Sequence, residues 1–519
     1  ALRADSSLKE GALPNITFDK GTDMKRCRIT ALFLALLLAL SACGGGTVPD
    51  GSGSASSADV SQTEVPPPRS VPFTLAFYPE YSLHPVLAGN RANLTLAPLL
   101  YESLFTVDAS FQAQPLLCGS YAVSEDKLVW TLSLRSGVTF SDGTPLTGQT
   151  AADALNLARS GRSRYQERMA DVTAITVPEE SPNQLVITLR RPNGSLPLLL
   201  DIPIALGEGE RPAGTGPYVL AEDGQSLAAR DGWWQADKAL PVQSILLHTV
   251  AKSDELIYAF DGGDISLVDV DRMATNATGY GGNYQTWDYP TTDFLYLGFN
   301  TQKGVFRSAD ARRAAWLAVD RDTVATTIYA NHAISTLLPV HPASGLYQPG
   351  EAPLTYDPEG LAAQVEGLRL TGSQLVFLVN SENVAKTSAA QLIAYQLEAA
   401  GFSVELKQLP FEEFAAALAW GEFDLYLGET ALTAGFDLAP LLGSAGALNY
   451  GGWWAEGVDG LLAAMLSAAP EERVAHAGAF FALFNEQAPI VPILFKNGSV
   501  LTQWVQLSGL SPVRGNVFY

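Results

Sequence analysis

The chain has 519 residues, too many for one hydrophobic core, so two or three domains are expected. It is 47% hydrophobic and 17% charged, an ordinary globular composition, and its net charge of −22 argues against nucleic acid or an anionic headgroup as partner. Three cysteines (Cys27, Cys43, Cys118) and five scattered histidines match neither a disulfide framework nor a metal-ligand spacing, so no metal and no cofactor is expected.

The first organised segment starts at Met24. Lys25, Arg26 and Arg28 form a short basic region, followed by the apolar run Ile29–Leu40. That run falls short of the roughly twenty residues a membrane-crossing helix needs. Basic region, short apolar run and small residues together predict a secretory signal peptide over 24–42. Its end, Leu40-Ser41-Ala42-Cys43, resembles the lipobox of bacterial lipoproteins. The resemblance implies cleavage before Cys43 and a lipid on its sulfur. Residues 1–23 do not look like a targeting region and are read as an upstream segment that is not native. Residues 43–70 are Gly, Ser, Ala and Pro with almost no large apolar residue, which predicts a flexible tether of roughly 30 Å.

Strand and helix signals alternate from there on. Phe73–Tyr78 and Leu128–Leu134 read as strands, the second with clean period-two alternation. Gly137–Gly143 reads as a strand ending in a turn. Thr150–Ser160 reads as a helix capped by Thr150, and Leu185–Leu189 as a strand. Ala309–Ala330 is a long helical region, with Asp310 near its start and Arg312 and Arg313 on its polar face. Strands at 375–379, 404–406 and 423–427 alternate with helices at 388–400, stopped by Gly401, and 411–420. That βαβαβ order predicts a parallel sheet flanked by helices. The first block is richer in hairpin signals than the second, which suggests two unlike lobes with a ligand cleft between them.

The stretch from Tyr101 to Ala154 resembles the signature region of the peptide-binding family of ABC-transporter solute-binding proteins. Tyr101, Glu102, Leu104, Pro115, Leu116, Leu134, Arg135, Gly137, Val138, Phe140, Asp142, Gly143 and Pro145 carry the match. Cys118 and Tyr121 depart from it, standing where the family usually has Ala and Trp. "GTGPYVL" (214–220), "YLGFNTQKGVFRSADARRAAWLAVDRDTV" (296–324), "YDPEGLAAQVEGL" (356–368) and "APIVPILFKNG" (488–498) follow in the family's order. The resemblance implies an α/β, two-lobed periplasmic-binding-protein fold of the class II-like, large cluster C type, with an extra subdomain in the first lobe. Lobe I is expected at 71–290 plus 486–519 and lobe II at 291–485, joined by two crossings that act as a hinge. It further implies a monomeric, non-enzymatic receptor on the outer face of the cell membrane, with a peptide ligand and ABC permease subunits as partners.

In many members an Asp from a W-x-x-D-x-x-D-P segment pairs with the peptide's α-ammonium. The corresponding segment, 425–454, lacks the two-Asp pattern. Asp437 and Glu429 are the anions available there, and Asp437 reads first as a cap for the helix starting near Ala439 and second as an α-ammonium contact. Asn449 and Tyr450 resemble the family's Asn-Tyr near the cleft. Trp453 and Trp454 follow two glycines and read either as a mobile aromatic cover or as one core and one surface residue. Tyr81, in the loop "YPEYSLHP", is a further ligand candidate, and His84 beside it reads as a turn residue. The same fold with another cargo (a nickel chelate, a sugar or an opine) and a sensor role are the alternatives. A hydrolase reading lacks a nucleophile elbow, since "LGSAG" (442–446) is not one.

Overall fold

The computed structural model describes residues 72–275, 279–350, 353–504 and 506–518. The segments read above as signal peptide and tether, with Cys27 and Cys43, therefore lie outside the described residues.

The framework is an eleven-stranded mixed sheet with a parallel group toward each end. In the first, Thr74–Phe77 pairs in parallel with Ser244–Thr249 and Leu267–Val270. In the second, Gln374–Asn380 pairs in parallel with Ser403–Leu409 and Leu425–Ala431. Two long antiparallel strands join these halves. The outgoing strand, Tyr284–Phe299, and the return strand, Ile490–Gln503, pair along most of their length. The return strand is also the neighbour of Leu267–Val270, and the outgoing strand of Leu425–Ala431. Between Pro290 and Phe294 their register slips in a bulge. There the Thr291 hydroxyl replaces a ladder bond, donating to the Lys496 carbonyl at 2.7 Å.

A four-stranded antiparallel sheet stands apart, with order Cys118–Val123, Val129–Leu134, Gln184–Leu189, Val172–Thr176. Its strand Val129–Leu134 buries Trp130, Leu132 and Leu134 on alternate positions, as period two demands. The helix Gly148–Ala158 packs its alanines and Leu155 on that face, giving the unit its own core. Its cap differs from the one expected. Thr147 is the N-cap, and Thr150 is the third residue of a reciprocal capping box. Gly137–Gly143 is not a strand. Gly137 and Gly143 adopt positive φ, and only one bridge, Thr139 to Pro145, forms there.

The second half is held by the largest core cluster, including Phe294–Leu297, Trp316, Phe377, Phe423 and Phe480. The long helical region breaks into Ala309–Trp316, a short turn Arg321–Thr323 and a π-turn Val324–Ile328. Asp320 restarts the helix by accepting from Thr323 N at 3.0 Å. Arg313 is exposed as expected, but Arg312 is buried. Its guanidinium donates to the carbonyls of Phe306, Gln487 and Ala488, the last two at the end of the helix Arg473–Gln487. An arginine in that place satisfies carbonyls that a helix end leaves open.

Candidate functional site

One group of charged side chains gathers where the two halves of the sheet meet. Lys496 projects from the return strand just past the bulge, its side chain only 8% exposed. Its ammonium reaches Glu429 at 2.8 Å, from the second half, and Asp271 at 3.2 Å, just past the first-half strand Leu267–Val270. Burial alone would lower the Lys496 pKa, but the two carboxylates outweigh it and raise it. Asp293 stands on the outgoing strand beside Phe294, the register partner of Phe495, so it comes to the same stretch as Lys496. Burial pushes the Asp293 carboxyl upward, and Lys496 only partly offsets this. Lys386, buried behind Glu429 and over the Phe414 ring, is lowered to about 8 by burial.

Two further ion groups continue this line. Asp201 bridges Arg168 (2.5 Å) and Arg514 (2.9 Å). Arg191 bridges Asp171 (2.6 Å) of its own subdomain and Asp437 of the second half. Gly194 makes a neighbouring contact possible. Its N–H donates to the Leu466 carbonyl at 2.9 Å, where any side chain would collide with the Ala468 carbonyl. A cleft of about 240 Å³ opens here between subdomain and second half, lined by Arg168, Asp171, Arg191, Thr430, Ala431 and Asp437.

A cavity of about 520 Å³, with Asp271 in its lining, lies at the carboxyl ends of Thr74–Phe77 and Leu267–Val270. These strands share a single register pair, Leu75 with Leu267, and a crevice at the carboxyl ends of adjacent parallel strands is where open α/β sheets hold ligands. Arg91, Asp269, Asp271, Arg272 and His332 line it. Arg91 pairs with Asp269 at 3.1 Å. Arg272 lies over the Tyr284 ring and makes no ion pair among the described residues. In a chain with a large excess of acid, this region carries cations and anions in near balance.

The residues singled out from sequence do not converge. Glu429 is in the cluster, already holding Lys496. Asp437 is in the subdomain-side cleft, holding Arg191 and accepting from Ala439 N at 3.1 Å, so the capping reading describes it as well. Tyr81 is 54% exposed, with its ring edge-on to Tyr78. Asn449 spends its amide on its own loop, bonding Gly443 O, Trp453 O and Trp453 N. Tyr450 lies edge-on to Tyr426, and the adjoining Gly451 carbonyl bonds Thr301 N, beyond the far end of the outgoing strand. That end is about 20 Å along the strand from Asp293. Trp453 is 4% exposed and Trp454 64%, so the pair is one core and one surface residue rather than a mobile cover. His84 is a turn residue, its ring nitrogens engaged by Gly207 O and Val86 N.

Sequence reasoning missed Arg168, Arg191, Asp271, Asp293 and Lys496. The signal for two of them was present. Asp293 is the sole charge in "YPTTDFLYLGF" (289–299), and Lys496 the sole charge in "IVPILFKNGSV" (490–500). A single charge inside an otherwise apolar strand marks a place where the strand faces something other than core.

The architecture is that of a two-lobed α/β protein with ion groups and clefts where its halves meet. Comparison with known proteins agrees. The profile of the bacterial extracellular solute-binding proteins, family 5 (middle region), matches residues 112–446, and the chain belongs to that family. It is 24% identical over 370 residues to a probable peptide ABC transporter periplasmic-binding protein of Sinorhizobium fredii, covering 62% of this chain and 67% of that one. It is 26% identical over 302 residues to the glutathione-binding protein GsiB of Escherichia coli K12, covering 53% and 57%. The structure of HbpA2 from Haemophilus parasuis superposes with a TM-score of 0.73 at 17% identity, covering 86% of this chain and 97% of the other, and so shares the two-lobed fold.

Proposed function

We propose that this protein is the substrate-binding component of an ABC importer, capturing short peptides between its lobes and handing them to a membrane permease. The observation that carries the proposal is the mixed-sign cleft flanking Lys496, reached by residues of the first half, the subdomain and the second half. A peptide presents an ammonium, a carboxylate and a row of amides, and charge-assisted bonds to both signs select such a zwitterion. Lobe I is 71–290 plus 486–519 and lobe II 291–485, with closure by bending at the bulged strand pair. The protein works as a monomeric lipoprotein on the outer face of the membrane, tethered through Cys43, and does no covalent chemistry on its cargo. The family membership and the peptide and glutathione cargoes named for its relatives support this reading.

The test is to denature the purified protein, identify co-purified ligand by mass spectrometry, and then titrate short peptides and glutathione. A ligand at a hundredfold over its Kd adds about 2.7 kcal/mol of stability, readable as a thermal shift. No shift with any peptide pool, or peptide cleavage products in the mixture, would overturn the assignment.

A further inference from the structure

A third cavity, of about 440 Å³, spans the joint between the subdomain and the second half on the far side of Ser195 from the cleft. Ser195 is the one residue that lines both. Tyr121, Lys127 and Trp130 line the cavity from the subdomain, and Leu346, Glu471 and Arg473 from the second half.

Much of its lining is apolar. The Tyr121 and Trp130 rings lie 5.5 Å apart, Trp130 buried and Tyr121 46% exposed. Phe111 and Leu198 extend this surface. The Phe111 ring stands edge-on to Phe436 at 5.1 Å, and both residues hold a positive φ, 59° and 50°. A bulky residue in the left-handed region is strained, and such strain clusters at ligand clamps and at joints that move.

The charge in the lining is uncompensated. Arg473 is 7% exposed. Its Nη2 and Nε donate to the carbonyls of Gly435 and Met465. Its Nη1 has no hydrogen-bond partner, and no carboxylate lies within ion-pair distance of it, among the described residues. Arg312, buried as well, donates from all three guanidinium nitrogens. Asp437 acts on Arg473 only at longer range and is paired with Arg191, so burial prevails and lowers the Arg473 pKa to about 10. A buried guanidinium without an anion is unfavourable. Lys127 adds a second cation to the lining, against the single acidic residue Glu471, which is exposed.

We propose that this cavity is a second binding site, for a small carboxylate carried on an apolar or aromatic body. The carboxylate pairs with the Arg473 guanidinium, and the body lies against Tyr121 and Trp130. The volume suits a small organic acid. A ligand there touches both sides of the joint. The inference does not depend on which cargo the cleft carries.

The experiment is calorimetric titration of the full-length protein with 3-phenylpropionate, indole-3-acetate and octanoate, each beside its uncharged amide. At least one acid is expected to bind, at least tenfold more tightly than its amide. Binding of no acid, or equal affinity for acid and amide, overturns the proposal. Amide hydrogen exchange locates the bound acid. Slowing at 121–130 and 471–474 is expected, whereas slowing at 167–171 or 269–273 instead places the acid in the cleft and overturns it. Arg473→Gln, with thermal unfolding to check that it folds, should bind acid and amide alike; a preference that survives overturns the proposal. Should that variant not fold, Tyr121→Ala decides, since it removes a half-exposed ring. It should weaken acid and amide together at least fivefold, and unchanged affinities overturn the site.

Discussion

The two ends of one strand pair are made of different material. From Phe294 to Phe299 the outgoing strand is buried at every position, with Phe294 stacked on Tyr296 and packed against Phe495. In the stretch just before it, 288–293, the same strand carries Asp288, Pro290, two threonines and Asp293, breaks register, and faces a lysine shared by two carboxylates. The apolar end fixes the second half as one rigid unit. The charged end, where the chain passes between halves, gives up packing for polar groups and ion pairs. Stability is expected to concentrate on one side of Phe294 and binding on the other.

Substitutions on the two sides should therefore behave differently. Phe294→Ala is expected to cost about 4 kcal/mol in urea unfolding, because a fully buried ring leaves a cavity among Tyr296 and Phe495. A cost under 1 kcal/mol would show that this end is not the rigid one. Lys496→Met should cost about 3 kcal/mol by leaving Glu429 and Asp271 facing each other uncompensated, and adding Glu429→Gln should recover part of it. The Lys496 pKa is raised from 10.5, so its contribution is complete below pH 10.5 and is lost only as pH climbs through the higher folded value.

His341 tests the same border through pH. It lies between the rings of Phe111 and Phe495, 3% exposed and with Nε2 unpartnered, and burial pushes its pKa down to about 4. The folded protein keeps it neutral, so the stability is whole above pH 6.5 and falls as pH drops from 6.5 toward 4, by about 3 kcal/mol at most. His341→Phe should flatten that part of a stability–pH curve. Arg312→Ala should cost about 2 kcal/mol through the carbonyls it abandons, whereas Arg313→Ala, its exposed neighbour, should stay within about 0.5 kcal/mol. Smallest, and opposite in sign, is Asp293→Asn. Removing a carboxylate whose pKa burial raises should stabilise the protein at pH 7, the gain disappearing once the pH is low enough to protonate the carboxyl.

Much of the fold was legible because it rests on local periodicity. Period two marked Val129–Leu134, and the helix Phe411–Trp420 ends at Gly421 in the left-handed region that glycine tolerates best. What was not legible depended on partners distant in sequence. Arg312 looks like a polar-face residue until the end of the helix Arg473–Gln487 arrives beside it. The continuity of the outgoing strand through Pro290 is invisible locally, because proline and two threonines read as a break, yet the bulge absorbs them. The cleft was only partly readable for the same reason. Family position pointed to Asn449, and the glycine-flanked tryptophan pair to Trp453, which serve their own loop and the core, while the ion groups form between segments up to 313 residues apart.

Amide hydrogen exchange of the full-length protein, with and without saturating peptide pool, tests the central claim most directly. Added ligand should slow exchange at 291–293, 429–437 and 167–193, the segments that carry Asp293, Glu429, Asp437, Arg168 and Arg191, while 294–299 is already slow without ligand. Protection confined to the loop at 449–454, or no change anywhere, would contradict it.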